Sequence, residues 1–438
     1  MSDTTRAAGF VLRLRADAIP PATAAAARVA ILDGLACAIA GRDEPVARRV
    51  RDWARAQGGR EGATLWGTGE RVPAALAALV NGAAAHALDF DDVSWAMSGH
   101  PTVPLLPAAL AAAEMAGASG MDLLRAFVAG FEVEARIGQM LGRPHYEKGW
   151  HATSTAGVFG AAAAAGFLLG LDAGQLRRAF GIAASRAAGT RANFGTDTKP
   201  LHAGLAARAG LEAAELAKLG VTAREDILEA EMGLADLYGA KRPAALPPLG
   251  APFALEHPGL ELKPYPSCRF THRAIDSVLA LREKHGDRAL RALEVASDPL
   301  GLKILIYPTP HTGLEAKFSL QYCAAVAWLD GWPGLESFSD ARALRDDVQS
   351  LLRRVTVREA RGAEEEVELV FADGGRERAS ARLARGNPER PLSETERLAK
   401  VRACVAPVLG EPAAERLIET VARLESLASV RELTACLG

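Results

Sequence analysis

The chain has 438 residues, too many for one ordinary core, which implies two domains or three. Apolar residues make up 49% and charged residues 24%, the balance of a globular protein. Lysine plus arginine number 51 against 53 acids, so no net excess argues for nucleic acid or an anionic membrane surface as a partner.

The N-terminal stretch MSDTTRAAGFVLRLRADAIPP has arginines among its apolar residues, which argues against an export signal. RVAILDGLACAIAGR is too short a run to span a bilayer, and Asp33 interrupts it, so a buried helix is expected there. The five cysteines (Cys37, Cys268, Cys323, Cys404, Cys436) are scattered without CxxC or Cys/His ligand spacing. Their odd number suits a reducing compartment, and a cytoplasmic protein is expected.

From about residue 22 to 240, alanine-rich helical patterns alternate with Gly and Pro signals. Examples are VPAALAALVNGAAAHALDF, VPLLPAALAAAEMAGASG and HAGLAARAGLEAAELAKLG, whose small residues allow close helix packing. After about residue 265 the character changes. RALRALEVASDP is strand-like, and RRVTVREARGAEEEVELVFADGGRERASARL alternates apolar and polar residues around the hairpin signal Asp373-Gly374-Gly375. Past GNPERPLS the pattern is helical again, with Ser393 and Glu396 spaced as a capping box. The fold class expected is mainly α: a large all-helical domain, discontinuous over 1–265 and 391–438, plus a smaller α+β lid domain over 266–390.

Five segments concentrate polar chemistry: HALDFDDVSWAMSGHP (86–101), GWHATSTAG, GTDTKPLHAG, ELKPYPSCRFTH and EAKFSLQYCAA. In the first, His86 and Asp89 would share one helical face while Asp91 projects elsewhere. A DxDD string can also serve terpene cyclases, but those pockets need abundant aromatic rings, and here Phe, Trp and Tyr make up only 5% of the chain. His100 and His151 each sit at the start of a helical run, where the helix dipole favours a neutral imidazole. Lys199 and His202 would lie one turn apart, and Lys263 precedes a proline. His, Asp and Lys without metal-ligand spacing fit proton transfer near carboxylates.

These segments, with LDGLACAIAG near the start and GNPERPLS before the last helices, resemble the MmgE/PrpD family over almost the full length. The resemblance implies a helical domain plus an α+β lid, a site at their junction, a homodimer, and cofactor-independent chemistry on small polycarboxylates. By that resemblance the site residues are Asp89, His100, His151, Lys199 and Lys263, with Tyr322 matched through a weaker motif. Lys199, Lys263, His202 and Ser94 are the expected substrate-binding groups. The decarboxylating branch of the family has a site threonine where this chain has Val93, and its Asp-to-His stretch is one residue shorter. These departures count against cis-aconitate decarboxylation. The activity expected is therefore a lyase, a dehydratase by preference, acting by proton abstraction next to a carboxylate. Either histidine would take the proton, with the other, or protonated Asp89, as acid. Epimerisation of an amino or imino dicarboxylate and decarboxylation remain alternatives, with a non-catalytic carboxylate-binding dimer behind them.

Overall fold

Helix α1 (Pro21–Gly41) starts with a proline at its first position, where the missing N–H has no intrahelical role. In a computed structural model, which describes residues 1–239, 245–286, 288–360 and 365–438, this helix is buried along most of its length. By length and composition α1 could cross a membrane, but 67% of its apolar window lies inside the fold. The Asp33 that interrupts it forms a 2.7 Å ion pair with Lys400 of the C-terminal helix α9 (Glu394–Leu409). Lys400 also donates to the Phe90 carbonyl at 2.7 Å, so α1, α9 and the site loop share one buried charge.

Five further helices complete the first apolar cluster: α2 (Ala74–Ala87), α3 (Thr102–Ala116), α4 (Gly120–Glu147), α5 (Gly157–Leu168) and α6 (Thr198–Lys218). Helices α2 and α6 meet backbone to backbone. A Cβ on Gly204 would lie 2.2 Å from the Leu79 carbonyl oxygen, so only glycine permits this approach. Each fully buried Leu, Ile or Phe in such a core contributes roughly 1.5–3 kcal/mol. Residues Val401 to Leu437, in α9, α10 (Glu411–Ala422) and the terminal turns, pack into the same cluster. Ser393 caps α9, and Glu396 returns the bond to the Ser393 N–H, forming the expected capping box.

The second cluster gathers around a four-stranded sheet. Helix α7 (His272–His285) precedes β1 (Leu290–Ser297), α8 (Leu320–Asp330) leads toward β2 (Val355–Glu359), and β3 (Glu366–Phe371) and β4 (Arg376–Ala379) follow. The order is β2-β1-β3-β4, with β1 and β2 parallel and the other pairs antiparallel. The β3–β4 hairpin turns at Asp373-Gly374-Gly375 as its residues predict, with Gly374 at φ 87°. Residues 361–364 of the alternating stretch lie outside the described residues. The architecture is thus mainly helical with a smaller α+β part.

Candidate active site

The segment between α2 and α3 is held in a defined shape before any side chain acts. Helix α2 ends at Ala87, and Asp89 follows in the left-handed region at φ 52°, which an aspartate tolerates better than most residues. Val93 exchanges both backbone hydrogen bonds with Glu261, each 2.9 Å, and Ser94 pairs with Gly99. Gly99 is forced by contact, because a Cβ there would lie 2.7 Å from the Thr153 nitrogen. That approach lets the Thr153 hydroxyl accept from the His100 N–H at 3.0 Å. The segment therefore places Asp89, Asp91 and His100 with little freedom.

Asp91 does not project away from the cluster, as helical spacing alone predicts. Its carboxylate accepts from His86 Nδ1 at 2.9 Å, and its other oxygen lies 2.9 Å from His100 Nδ1. Burial opposes charge on Asp91, and the two imidazoles more than offset it, holding the carboxyl well below the usual range. His100 Nδ1 also faces the Asp92 carbonyl at 2.9 Å. Both partners of that nitrogen can only accept, so it carries the proton, and neutral His100 leaves Nε2 as a base. His86 has the same tautomer, its Nε2 accepting from Lys199 Nζ at 3.0 Å.

Asp89 is clamped by two ammonium groups. Lys199 Nζ donates to its Oδ1 at 2.7 Å, and Lys263 Nζ to Oδ1 at 3.1 Å and to the Asp89 carbonyl at 2.7 Å. Burial raises the Asp89 pKa, but the lysines outweigh burial and hold the carboxyl well below the usual range. Asp89 is thus a fixed carboxylate and cannot serve as the protonated acid considered from sequence. Asp92 behaves oppositely. It is buried and accepts from the Thr102 backbone and hydroxyl at the start of α3, and burial raises its pKa well above the usual range.

His151 heads the short helix Ala152–Thr155 and makes no side-chain cap. Its Nδ1 lies 3.0 Å from His202 Nδ1, while its buried Nε2 has no hydrogen-bond partner among the described residues. Burial, reinforced by Lys199, pushes the His151 pKa well below 6.5. Burial also lowers His100, with Asp91 opposing. The helix dipole invoked from sequence is therefore not the chief cause. Desolvation is.

Asp89, His100, His151 and Lys199 line one cavity of about 270 Å³, together with Thr153, Tyr146, Phe194, Phe318 and Cys268. Lys199 Nζ lies 5.4 Å from the ring centres of both Phe194 and Phe318. The other expected residues stand elsewhere. Lys263 is fully buried behind Asp89 and does not line the cavity, because Asp89 occupies its ammonium group. His202 stands behind His151 for the same kind of reason. Ser94 is buried by the Gly99 pairing, and its hydroxyl has no hydrogen-bond partner among the described residues. Tyr322 lies in the second apolar cluster with its hydroxyl donating to the Ser337 carbonyl. The tyrosine at the cavity is Tyr146, brought there beyond a break in α4 at Gly142 (φ 66°).

Sequence reasoning also missed Trp95, Arg269, Phe270, Leu300 and Ile304 on the cavity wall. It missed Lys317 as well, which is fully desolvated and donates to the carbonyls of Leu88 (2.8 Å) and Pro266 (3.2 Å). Burial lowers Lys317 to about 8. The EAKFSLQYCAA segment had drawn notice for its polar residues, but the long-range partners of Lys317 carry no local signal.

His86, Asp89, Asp91 and His100 each bring one possible metal-ligand atom within 4.8 Å of the others. Two of those groups are already in use by ammonium. Lys199 and Lys263 sit on Asp89 Oδ1, and Lys199 also meets His86 Nε2. A dication would have to displace both positive charges, so this donor set fits proton transfer better than metal binding.

Neutral imidazoles, a fixed carboxylate and an ammonium group thus surround one cavity whose apolar wall, Phe194, Cys268, Ile304 and Phe318 among it, belongs to the second cluster, the make-up of a candidate acid–base site. The chain belongs to the MmgE/PrpD family: the MmgE/PrpD N-terminal domain matches residues 5–246 and the C-terminal domain matches residues 265–426. Among its relatives, the cis-aconitate decarboxylase of Mus musculus is 32% identical over 457 residues, covering 100% of this chain and 93% of the relative. That of Homo sapiens is 32% identical over 427 residues (93% and 88%), and that of Aspergillus terreus 26% identical over 469 residues (99% and 96%).

Proposed function

We propose that the protein is a lyase acting on a small di- or tricarboxylate, moving a proton at the carbon beside a carboxylate without metal or organic cofactor. The observation that carries this reading is the fixed tautomer of His100. Its Nδ1–H is held by Asp91 and the Asp92 carbonyl, so its Nε2 lone pair is available at the cavity. An ammonium group has three N–H donors. Two of those on Lys199 are taken by Asp89 and His86, leaving one for substrate. When a proton leaves carbon, charge moves onto the adjacent carboxylate, and a well-placed donor there contributes roughly 3 kcal/mol to the transition state. Asp91 stabilises the imidazolium that forms on His100.

Dehydration is the first reading because an imidazole lone pair faces the cavity: His100 takes the carbon proton and, as imidazolium, passes it to the departing hydroxyl, which leaves as water, with His151 facing the same cavity. Decarboxylation is the second, favoured by the full-length similarity to the mammalian cis-aconitate decarboxylases. In that case one imidazole protonates the carbanion left when carbon dioxide departs. A cytoplasmic setting belongs to the proposal and rests on five free thiols, four of them buried. A homodimer belongs to it too, on family resemblance.

The test is incubation with 2-methylcitrate, citrate and cis-aconitate in deuterated buffer, followed by proton NMR and alkene absorbance. New alkene with loss of the hydroxyl supports dehydration, and release of carbon dioxide supports decarboxylation. Deuterium entry without elimination would move the assignment to an epimerase. Folded protein that neither converts nor exchanges any substrate would overturn the reading.

A further inference from the structure

Besides Lys199, the cavity wall holds a second cation that the acid–base chemistry does not use. Arg269 lies just after Cys268 at the start of a short 3-10 turn (Arg269–Thr271) and lines the cavity with Trp95, Phe270, Leu300 and Ile304. Its side chain is 11% exposed and forms an ion pair with Glu261, whose side chain is fully buried. The guanidinium also lies 5.4 Å from the Trp95 ring centre. Glu261 holds the other half of this unit, accepting from Trp95 Nε1 at 2.9 Å, and its backbone is bridged to Val93. Ring, carboxylate and guanidinium are therefore oriented before any ligand arrives.

A guanidinium has more N–H donors than one carboxylate can accept. Among the described residues Glu261 is the only polar partner of Arg269, so part of the fork remains unpaired beside the cavity. A planar fork stacked on an aromatic ring and backed by a buried carboxylate is suited to receiving a second carboxylate edge-on. Arg143, the other arginine at this cavity, is different: its side chain is 72% exposed and pairs with Glu147 on the protein's surface.

We propose that Arg269 is the receptor for a carboxylate of the substrate remote from the reacting carbon, so that the site selects molecules with one anionic group for Lys199 and another for Arg269. Leu300 and Ile304, which line the same cavity, offer apolar surface for the carbon chain that joins the two groups. This rests on the polycarboxylate reading and adds the residue that makes the second charge necessary.

The probes are 2-methylsuccinate and butyrate, which differ by one carboxylate and carry no leaving group. Binding is measured by titration calorimetry on wild type, Arg269→Gln and Arg269→Lys. Gln keeps an amide donor for Glu261, so its effect reports charge and fork rather than an abandoned partner. Wild type is expected to bind 2-methylsuccinate roughly 10- to 100-fold more tightly than butyrate. In Arg269→Gln that gap should close through weaker 2-methylsuccinate binding alone. Arg269→Lys, which keeps the charge without the fork, should close it in part and carries the test if the Gln variant does not fold. An unchanged gap, or equal weakening of both probes, would overturn the assignment. Wild type binding neither probe would instead remove the polycarboxylate reading, and this inference with it.

Discussion

The carboxylate of Asp91 lies 2.9 Å from His100 Nδ1, with the same carboxylate 2.9 Å from His86 Nδ1 on its other side. One buried anion thus sets the tautomers of two imidazoles. Asp91→Asn keeps the shape but presents an amide N–H where at least one imidazole needs an acceptor. That would turn the ring or shift its proton, removing the lone pair from Nε2. The expected loss in kcat is about 10²- to 10⁴-fold with a smaller change in KM, read by steady-state kinetics on the substrate found active.

Lys199 and Lys263 share Asp89, yet only Lys199 reaches the cavity. Their variants should therefore separate stability from activity. Lys263→Met leaves a buried carboxylate and a carbonyl short of a partner and should cost about 3–5 kcal/mol in urea unfolding. Lys199→Gln should lose activity by more than its effect on unfolding explains, because it removes the donor facing substrate. Equal profiles for the two would contradict the division of labour.

Acid should destabilise this protein earlier than carboxylates alone would cause. Burial holds His86 at about 3 in the folded chain, whereas an unfolded histidine titrates near its ordinary 6.5. Between those values the unfolded chain binds more protons, so stability is intact above about 6.5 and falls as pH drops. The slope from His86 reaches at most about 1.4 kcal/mol per pH unit. His145 and His202, both lowered to about 4 by burial, act in the same direction with smaller contributions because their shifts are smaller. Urea midpoints measured from pH 8 to pH 4 should decline below pH 6.5. A flat profile down to pH 5 would contradict these buried neutral rings.

His202 meets His151 nitrogen to nitrogen at 3.0 Å, so one ring must donate and the other accept. Whichever way the proton lies, it decides whether His151 Nε2 is a base or an acid. His202→Leu should lower kcat by roughly 10- to 100-fold while leaving KM nearly unchanged, below the ceiling for removing the acid–base group itself. The pH profile should shift as well, which a merely structural loss would not cause.

What could be read from the chain follows the range of the interactions. The capping box at Ser393, the strand from Leu290 and the Gly374 hairpin depend on neighbours a few residues away, and those neighbours are visible in the sequence. Asp89, His100, His151 and Lys199 stood out because titratable groups beside Gly, Pro and Thr at helix edges are conspicuous in an alanine-rich chain. The role of Asp91 was misjudged because helical spacing does not continue past Asp89, where φ becomes positive. Tyr322 rests on resemblance through a weak motif, whereas Tyr146 has no local signal, because the break at Gly142 that carries it to the cavity looks like an ordinary helix end. Arg269 and Trp95 draw their meaning from Glu261, which is remote from Trp95 in the chain, and no periodicity shows such a contact.

Proton transfer to His100 at a carbon beside a carboxylate is the centre of this account, and solvent exchange measures it most directly. The experiment is proton NMR of deuterium entry into citrate, 2-methylcitrate and cis-aconitate, with wild type and His100→Gln compared at equal folded concentration. Exchange by wild type, slowed about 10²- to 10⁴-fold in the variant, is the result expected. Exchange at the same rate in both proteins would contradict it.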